Sequence, residues 1–169
     1  MTDQSPRYRT YLSAARLRFL VIFLCVLGLD QITKDIMLGL IFDPPRRIEI
    51  AAILNLVPVW NRGMSFGMLA DAGALVPIGL TLLAVLVLAW LLWMVPRFAA
   101  VQWAAAALIA GGAIGNAIDR LRFGQVVDFI DVHYGQWHWP AFNVADAAIT
   151  IGAVLWGYSI LREQETSQT

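Results

Sequence analysis

The sequence predicts an all-α membrane protein of four transmembrane helices joined by two longer outer loops. Three observations predict it. Of 169 residues, 59% are hydrophobic and only 14% charged, with a mean hydropathy of +0.67; a soluble domain is nearer half apolar and a quarter charged. Four runs approach the roughly 20 apolar residues that an α-helix needs to span a bilayer. The few ionisable groups inside those runs gather towards one end of them. Residues 1–169 are therefore read as a single integral membrane domain.

The first helix is placed at about 17–40, opening LRFLVIFLCVLGL. Arg16 and Arg18 before an apolar core resemble the start of a signal peptide. Polar DQITKD follows where small cleavage-site residues would stand, so the helix is expected to be retained. The second helix, about 74–95, has no charge in its interior and reads as a lipid-facing strut. The third is about 101–119, VQWAAAALIAGGAIGNAID, and the fourth about 142–161, FNVADAAITIGAVLWGYSIL. Arg7, Arg9, Arg16, Arg18, Arg97 and Arg162 fall on one side of this arrangement, and Arg46, Arg47, Arg62, Arg120 and Arg122 on the other. The N-terminal cluster sets the orientation, which puts both termini in the cytoplasm. Loops 41–73 and 120–141 then face outward. Zero net charge gives no basic surface for nucleic acid. Cys25, the only cysteine, sits among Leu and Val as a small hydrophobe and permits no intrachain disulfide.

Both outer loops carry strand signals. RIEIAAILNLVPVWN (47–61) is rich in β-branched residues and partly alternates. Pro58 within it argues for an edge or a strand end. VVDFIDVH (126–133) is similar, and if extended it points Asp128 and Asp131 to opposite faces. Trp60, Tyr134, Trp137, Trp139 and Phe142 fall in or beside these loops, as in an interfacial aromatic belt. Residues 1–10 and 163–169 are polar and expected to be loose.

Three polar clusters interrupt the apolar runs. An ionisable group inside a membrane helix costs roughly 2.5–3.5 kcal/mol on insertion scales, so it is usually turned inward and used. Asp30 and Lys34, at i and i+4, suit an ion pair that lets a helix end enter the headgroup region. GGAIGNAIDR (111–120) sets Gly112, Gly115, Asn116, Asp119 and Arg120 along one stripe, and its Gly111–Gly115 pair lets another helix come close. A buried amide and guanidinium need partners, and Arg120 suits a bidentate grip on a carboxylate. Asn143, Asp146 and Thr150 share a face of the fourth helix, with Asn143 placed as its N-cap. Asp146 equally suits a first-turn acid that complements the helix dipole. Given alternating directions, all three clusters lie at the outer helix ends.

No Ser or Cys nucleophile stands beside a His. A metal site from Asp131, His133 and His138 lacks the recurrent spacing of zinc ligands. Paired carboxylates remain. Two close aspartates cannot both ionise easily; the charged one can activate water while the neutral one polarises a carbonyl. Asp146 is one candidate, and Asp119 or Asp128 the other; periodicity does not choose.

DQITK (30–34), NRGMSF (61–66), GNAIDR (115–120), VVDF (126–129) and FNVAD (142–146) together resemble the motif set of bacterial lipoprotein signal peptidases, or signal peptidase II. The resemblance runs from about 18 to 160, in order. It implies an inner-membrane aspartic endopeptidase that removes signal peptides from diacylglyceryl-modified prolipoproteins, cutting N-terminal to the lipidated cysteine. It implies a catalytic pair at Asp128 and Asp146, and supporting residues at Asp30, Lys34, Asn61, Gly63, Asn116, Asp119, Arg120 and Asn143. No metal or organic cofactor is implied; the partners are lipidated precursors and membrane lipid, the chain a monomer. Residues 44–70 would form a small periplasmic β-cradle and 129–141 a mobile periplasmic cover. Arg62 and Met64 are bulkier than the residues common there and would reshape the groove. A small transporter or ion-conducting bundle using Asp30, Asp119 and Asp146 is the alternative, but it would want polar groups along a whole path. A packing scaffold built on GGAIG would leave the outer acids unexplained.

Overall fold

A computed structural model describes residues 6–63, 75–94 and 100–167. Helix α1 (Pro6–Ile41) leads into strands β1 (Ile48–Ala51) and β2 (Leu54–Asn61). Helices α2 (Leu75–Met94) and α3 (Ala100–Phe123) follow, then β3 (Val126–Tyr134), β4 (Trp137–His138) and α4 (Val144–Ser167). The apolar runs are helices, but longer than expected. Helix α1 starts at Pro6, a residue suited to a first turn, and α4 continues to Ser167. Its 36 residues make α1 about 54 Å long at 1.5 Å per residue, well beyond a hydrocarbon core of roughly 30 Å. Among the described residues three helices are long and apolar enough to cross a membrane: Pro77–Met94, Val101–Phe123 and Val144–Glu163. Helix α1, which carries Arg16, Arg18, Asp30, Lys34 and Asp35, is not among them.

Helix α3 is the axle. Ala105, Ala106, Ala107 and Ala110 are fully buried, which lets neighbours approach its backbone. A Cβ on Gly111 would stand 2.9 Å from the Val26 Cβ of α1. One on Gly112 would collide with the Ala145 carbonyl oxygen of α4 and stand 2.9 Å from Ile149 Cγ1. The glycines of GGAIG are thus contact points for two different helices. Helix α2 lies against α3 and stacks Trp90 on Trp156 of α4, with ring centroids 6.2 Å apart. Ile78, Leu82, Leu83 and Leu86 stay exposed on it, as befits a lipid-facing strut.

The outer segments are more ordered than a pair of loops, and the all-α description understates them. They build one antiparallel sheet in the order β1-β2-β3-β4. Residues 129–141 carry strand pairing of their own: Ile130 pairs with Leu56 and Asp131 with Asn55, and Ile130 N–H donates to Phe142 O at 2.8 Å. Val127 and Phe129 pack with Ile41 in a cluster that includes Met37, Leu38, Phe123 and Val144, seating the sheet on the ends of α1, α3 and α4. Arg120 and Arg122 belong to α3, which runs on to Phe123. Met64 and the Arg97 loop lie outside the described residues.

Pro58 sits in a central strand, not at an edge or an end, and the local pairing explains how. Between Leu56↔Ile130 and Val59↔Asp128 the register shifts, so β2 has one residue more than β3 there. The pairing of β1 reaches no further than Leu56. Pro58 therefore breaks no ladder on either side.

The close approach of α3 and α4 yields a test. Gly112→Ala should lower stability in detergent by about 1–3 kcal/mol, the usual cost of overpacking. Gly28→Ala, where nothing lies within 4 Å of the added carbon, should leave the thermal midpoint unchanged or slightly raised. Equal midpoints for both would remove the contact argument.

Candidate active site

Lys34 of α1 is 1% exposed, between Asp30 at 0% and Asp119 of α3 at 1%. Its Nζ lies 2.9 Å from Asp30 Oδ2, 2.9 Å from Asp119 Oδ2 and 2.9 Å from Asn116 Oδ1. Three ammonium hydrogens meet three acceptors. Asp30 and Lys34 are therefore no solvated pair at a helix end. Each carboxylate also reaches onward. Asp30 Oδ1 accepts from Ala145 N at 2.9 Å, in the first turn of α4, and Asp119 Oδ2 accepts from Val127 N at 3.1 Å, beside Asp128. Gln31, which sequence reasoning passed over inside DQITK, donates to Asp30, to Asp119 and to the Gly115 carbonyl.

Helix α4 begins with a reciprocal cap. Asp146 N–H donates to Asn143 Oδ1 at 2.9 Å, and Asn143 N–H to Asp146 Oδ2 at 3.3 Å. This is a capping box with an Asp in the acid position. The predicted N-cap and the first-turn acid are both present, and the same side chains do more. Asn143 Nδ2 donates to Asp128 Oδ1 at 2.7 Å, and Asn116 Nδ2 to Asp146 Oδ1 at 2.8 Å. One asparagine thus bridges the two aspartates. From β2, Asn61 Nδ2 donates to Asp128 Oδ2 at 2.8 Å, while Asn61 Oδ1 accepts from Gly63 N at 2.8 Å. Gly63 holds a φ of 90°, in the left-handed region where a glycine is preferred.

The geometry separates the carboxylates that periodicity left tied. Asp119 is committed to Lys34 and to the β3 backbone. Asp128 is buried and Asp146 half-buried, so they differ in access. Burial pushes the Asp128 carboxyl up to about 7, helped by the neighbouring charge of Asp146, against the bonds from Asn61 and Asn143 and the charge of Lys34. Near neutrality Asp128 thus still holds part of its proton.

Arg120 differs from expectation. Among the described residues it makes no ion pair and donates no hydrogen bond; the bonds to Asp128 and Asp146 come from asparagines. The opposing charges that act on it are those of Asp146, Asp119 and Asp128. The guanidinium is half-buried, with its donors uncommitted to any side chain or carbonyl among the described residues. Arg62 is exposed at the rim, its Nε 3.4 Å from Gln125 Oε1. Asp131, His133 and His138 do come together: His138 Nδ1 lies 2.8 Å from Asp131 Oδ1, and the imidazoles stack at 5.0 Å. No group of three His, Cys, Asp or Glu among the described residues could hold a metal ion. Asn55, unnoticed in the sequence, donates to Asp131 Oδ2 at 2.8 Å. Only the pairing of β2 with β3 reveals it.

Comparison with known proteins converges on one family. The profile described as Signal peptidase (SPase) II matches residues 22–162. A lipoprotein signal peptidase of Paraburkholderia phymatum is 46% identical over 139 residues, covering 81% of this chain and 83% of that one. One from a Janthinobacterium species is 42% identical over 153 residues, covering 89% and 92%. A solved structure described as a bacterial membrane enzyme superposes with a TM-score of 0.75 at 28% identity, covering 88% of this chain and 90% of its own. A second solved structure with the same description gives 0.72 at 29% identity. The profile spans every polar cluster of the site, from Asp30 on α1 to Asp146 on α4, and the chain belongs to the signal peptidase II family.

Proposed function

We propose that this chain removes signal peptides from diacylglyceryl-modified prolipoproteins, cutting N-terminal to the lipidated cysteine, with Asp128 and Asp146 as its catalytic pair. One observation carries the assignment: Asn143 joins a buried carboxyl, Asp128, to a half-exposed one, Asp146, bonding the first and capping with the second, and burial pushes Asp128 up to about 7. Asp146 takes a proton from water as the water oxygen attacks the scissile carbonyl, and Asp128 donates its proton to the carbonyl oxygen. Collapse of the tetrahedral intermediate breaks the C–N bond: Asp146 passes the proton it took from water to the leaving nitrogen, and Asp128 recovers its own from the hydroxyl as the carbonyl re-forms. Asn61 and Asn143 hold Asp128, and Asn116 holds Asp146. The uncommitted Arg120 guanidinium suits a substrate carbonyl.

In this reading the chain is one monomeric membrane domain in the inner membrane. Helix α1 is its fourth span, with Asp30 and Lys34 turned onto α3 and α4. The arginine bias supports cytoplasmic termini and a site near the periplasmic surface, with the sheet as the cradle on that surface. The names of the relatives support lipoprotein precursors as substrates. A transporter reading has nothing comparable behind it: the polar groups gather at one end of the helices instead of lining a path.

Asp128→Asn and Asp146→Asn should each lower release of signal peptide from a lipidated precursor by about a thousandfold, the scale of a lost general acid or base. The double variant should cost little more than either alone, because the pair acts as a unit. Near-parental turnover in a folded single variant refutes the assignment.

The pH dependence follows from Asp128. Its protonated fraction falls as pH rises through about 7, so kcat/KM should decline on the alkaline side near that value. The Asn61 bond favours the charged form, so Asn61→Ala should move that limb to higher pH. A downward shift contradicts the model of Asp128 as the acid.

Lipid should matter as much as peptide. Each buried methylene of an acyl chain contributes about 0.8 kcal/mol to membrane anchoring, energy available to position the scissile bond at the interface. The same precursor without diacylglycerol should be cut slowly or not at all, measured at equal concentration in one detergent. Equal rates would show that the site reads peptide alone.

A further inference from the structure

Asp131 is buried on β3, in direct line with Asn55, yet it lies on the other face from Asp128 and takes no part in the chemistry above. Burying a carboxylate is costly unless its oxygens are bonded. Here both are: Oδ2 accepts from Asn55 Nδ2 at 2.8 Å and Oδ1 from His138 Nδ1 at 2.8 Å. Burial raises this carboxyl, but the bonds from His138 and Asn55 outweigh it and leave the group below its ordinary range. Strand β4 pairs with β3 through only His133↔His138 and Tyr134↔Trp137. The imidazole stack and the bond from Trp139 N to Val132 O at 2.8 Å add to that short ladder.

The sheet contains a parity problem that this cluster settles. Asn55 and Asn61 are six residues apart on β2 and would share a face of a regular strand; Asp128 and Asp131 are three apart on β3 and never do. The extra residue between Leu56 and Val59 reverses the parity, so Asn55 meets Asp131 and Asn61 meets Asp128. A slip of one residue would send Asp128 to the wrong face. Apolar pairs at the Asn55–Asp131 rung would tolerate a slip; a buried amide–carboxylate pair does not.

We propose that Asp131, held between Asn55 and His138, is a positioning residue for the cleavage reaction, fixing β3 in the register that aims Asp128 at Asp146. The proposal rests on the assignment of that pair as catalytic. The test measures kcat and KM on the lipidated precursor for the full chain, Asp131→Ala, Asp131→Asn and Asp128→Asn. Asparagine can still accept from Asn55 and donate to His138. Misplacement by about 1 Å costs up to a hundredfold in rate, so Asp131→Ala should lose about tenfold to a hundredfold in kcat with KM nearly unchanged. Asp131→Asn should recover most of that loss. Parental kcat in Asp131→Ala, a rise in KM alone, or no recovery in Asp131→Asn overturns the proposal. If Asp131→Ala does not fold, Asn55→Ala and His138→Phe each remove one bond, and parental kcat in both overturns it equally. An inactive Asp128→Asn beside a parental Asp131→Ala rejects the positioning role alone; an active Asp128→Asn rejects the catalytic pair and this proposal with it.

Discussion

One buried ammonium group organises the half of this molecule that carries the sheet. Lys34 is held by Asp30, Asp119 and Asn116, and the two carboxylates also accept from the backbones of α4 and β3, Asp30 through its second oxygen and Asp119 through the oxygen that meets Lys34. Desolvating such ions costs several kcal/mol each, recovered only when every donor and acceptor is matched. That condition ties α1, α3, α4 and β3 to a common centre. It also explains why Gly115 stands where it does, since a Cβ there would collide with the Asp30 carboxylate. Removing one partner leaves an uncompensated buried charge, commonly a loss of about 3–5 kcal/mol. The polar cluster is therefore as much a core as the alanine face of α3.

On that frame two aspartates with one side-chain chemistry acquire different properties. Asp128 comes from a strand, is fully enclosed, and is bonded on both oxygens by asparagines. Asp146 comes from the first turn of a helix and is half open. Environments that push paired acids apart are what allow one to give a proton while the other takes one. Asn143 links them, capping α4 with one end of its amide and reaching Asp128 with the other. Neutral amides do this holding, which leaves Arg120, uncommitted among the described residues, to face whatever enters.

Much of this was legible in the sequence because it is local. Apolar runs gave the helices, the i, i+3 spacing gave the Asn143–Asp146 cap, and small residues marked the α3 contacts. The choice of Asp128 over Asp119 was not local. It depends on which carboxylate Lys34 claims, a pairing across 85 residues between Lys34 and Asp119; the tie was broken by resemblance alone. Arg120 was expected to grip a carboxylate, and three asparagines do so instead. The four-stranded sheet was only half visible, since propensity marks a strand but not its partner. Asn55 and Pro58 take their meaning from one register shift, and a shift between strands leaves no trace within either.

That register shift has a consequence for how the chain can vary. Between Leu56 and Val59 the quantity under constraint is the number of residues, more than their kind. Val57 and Pro58 face a ladder that asks little of their side chains, so substitution there is tolerable. Deleting or inserting a single residue would exchange the faces of everything downstream on β2, parting Asn61 from Asp128 while every side chain named in the site remained in the sequence. Drift among relatives should therefore appear in this segment as changes of letter at constant length, with gaps displaced to the hairpin turn before Leu54.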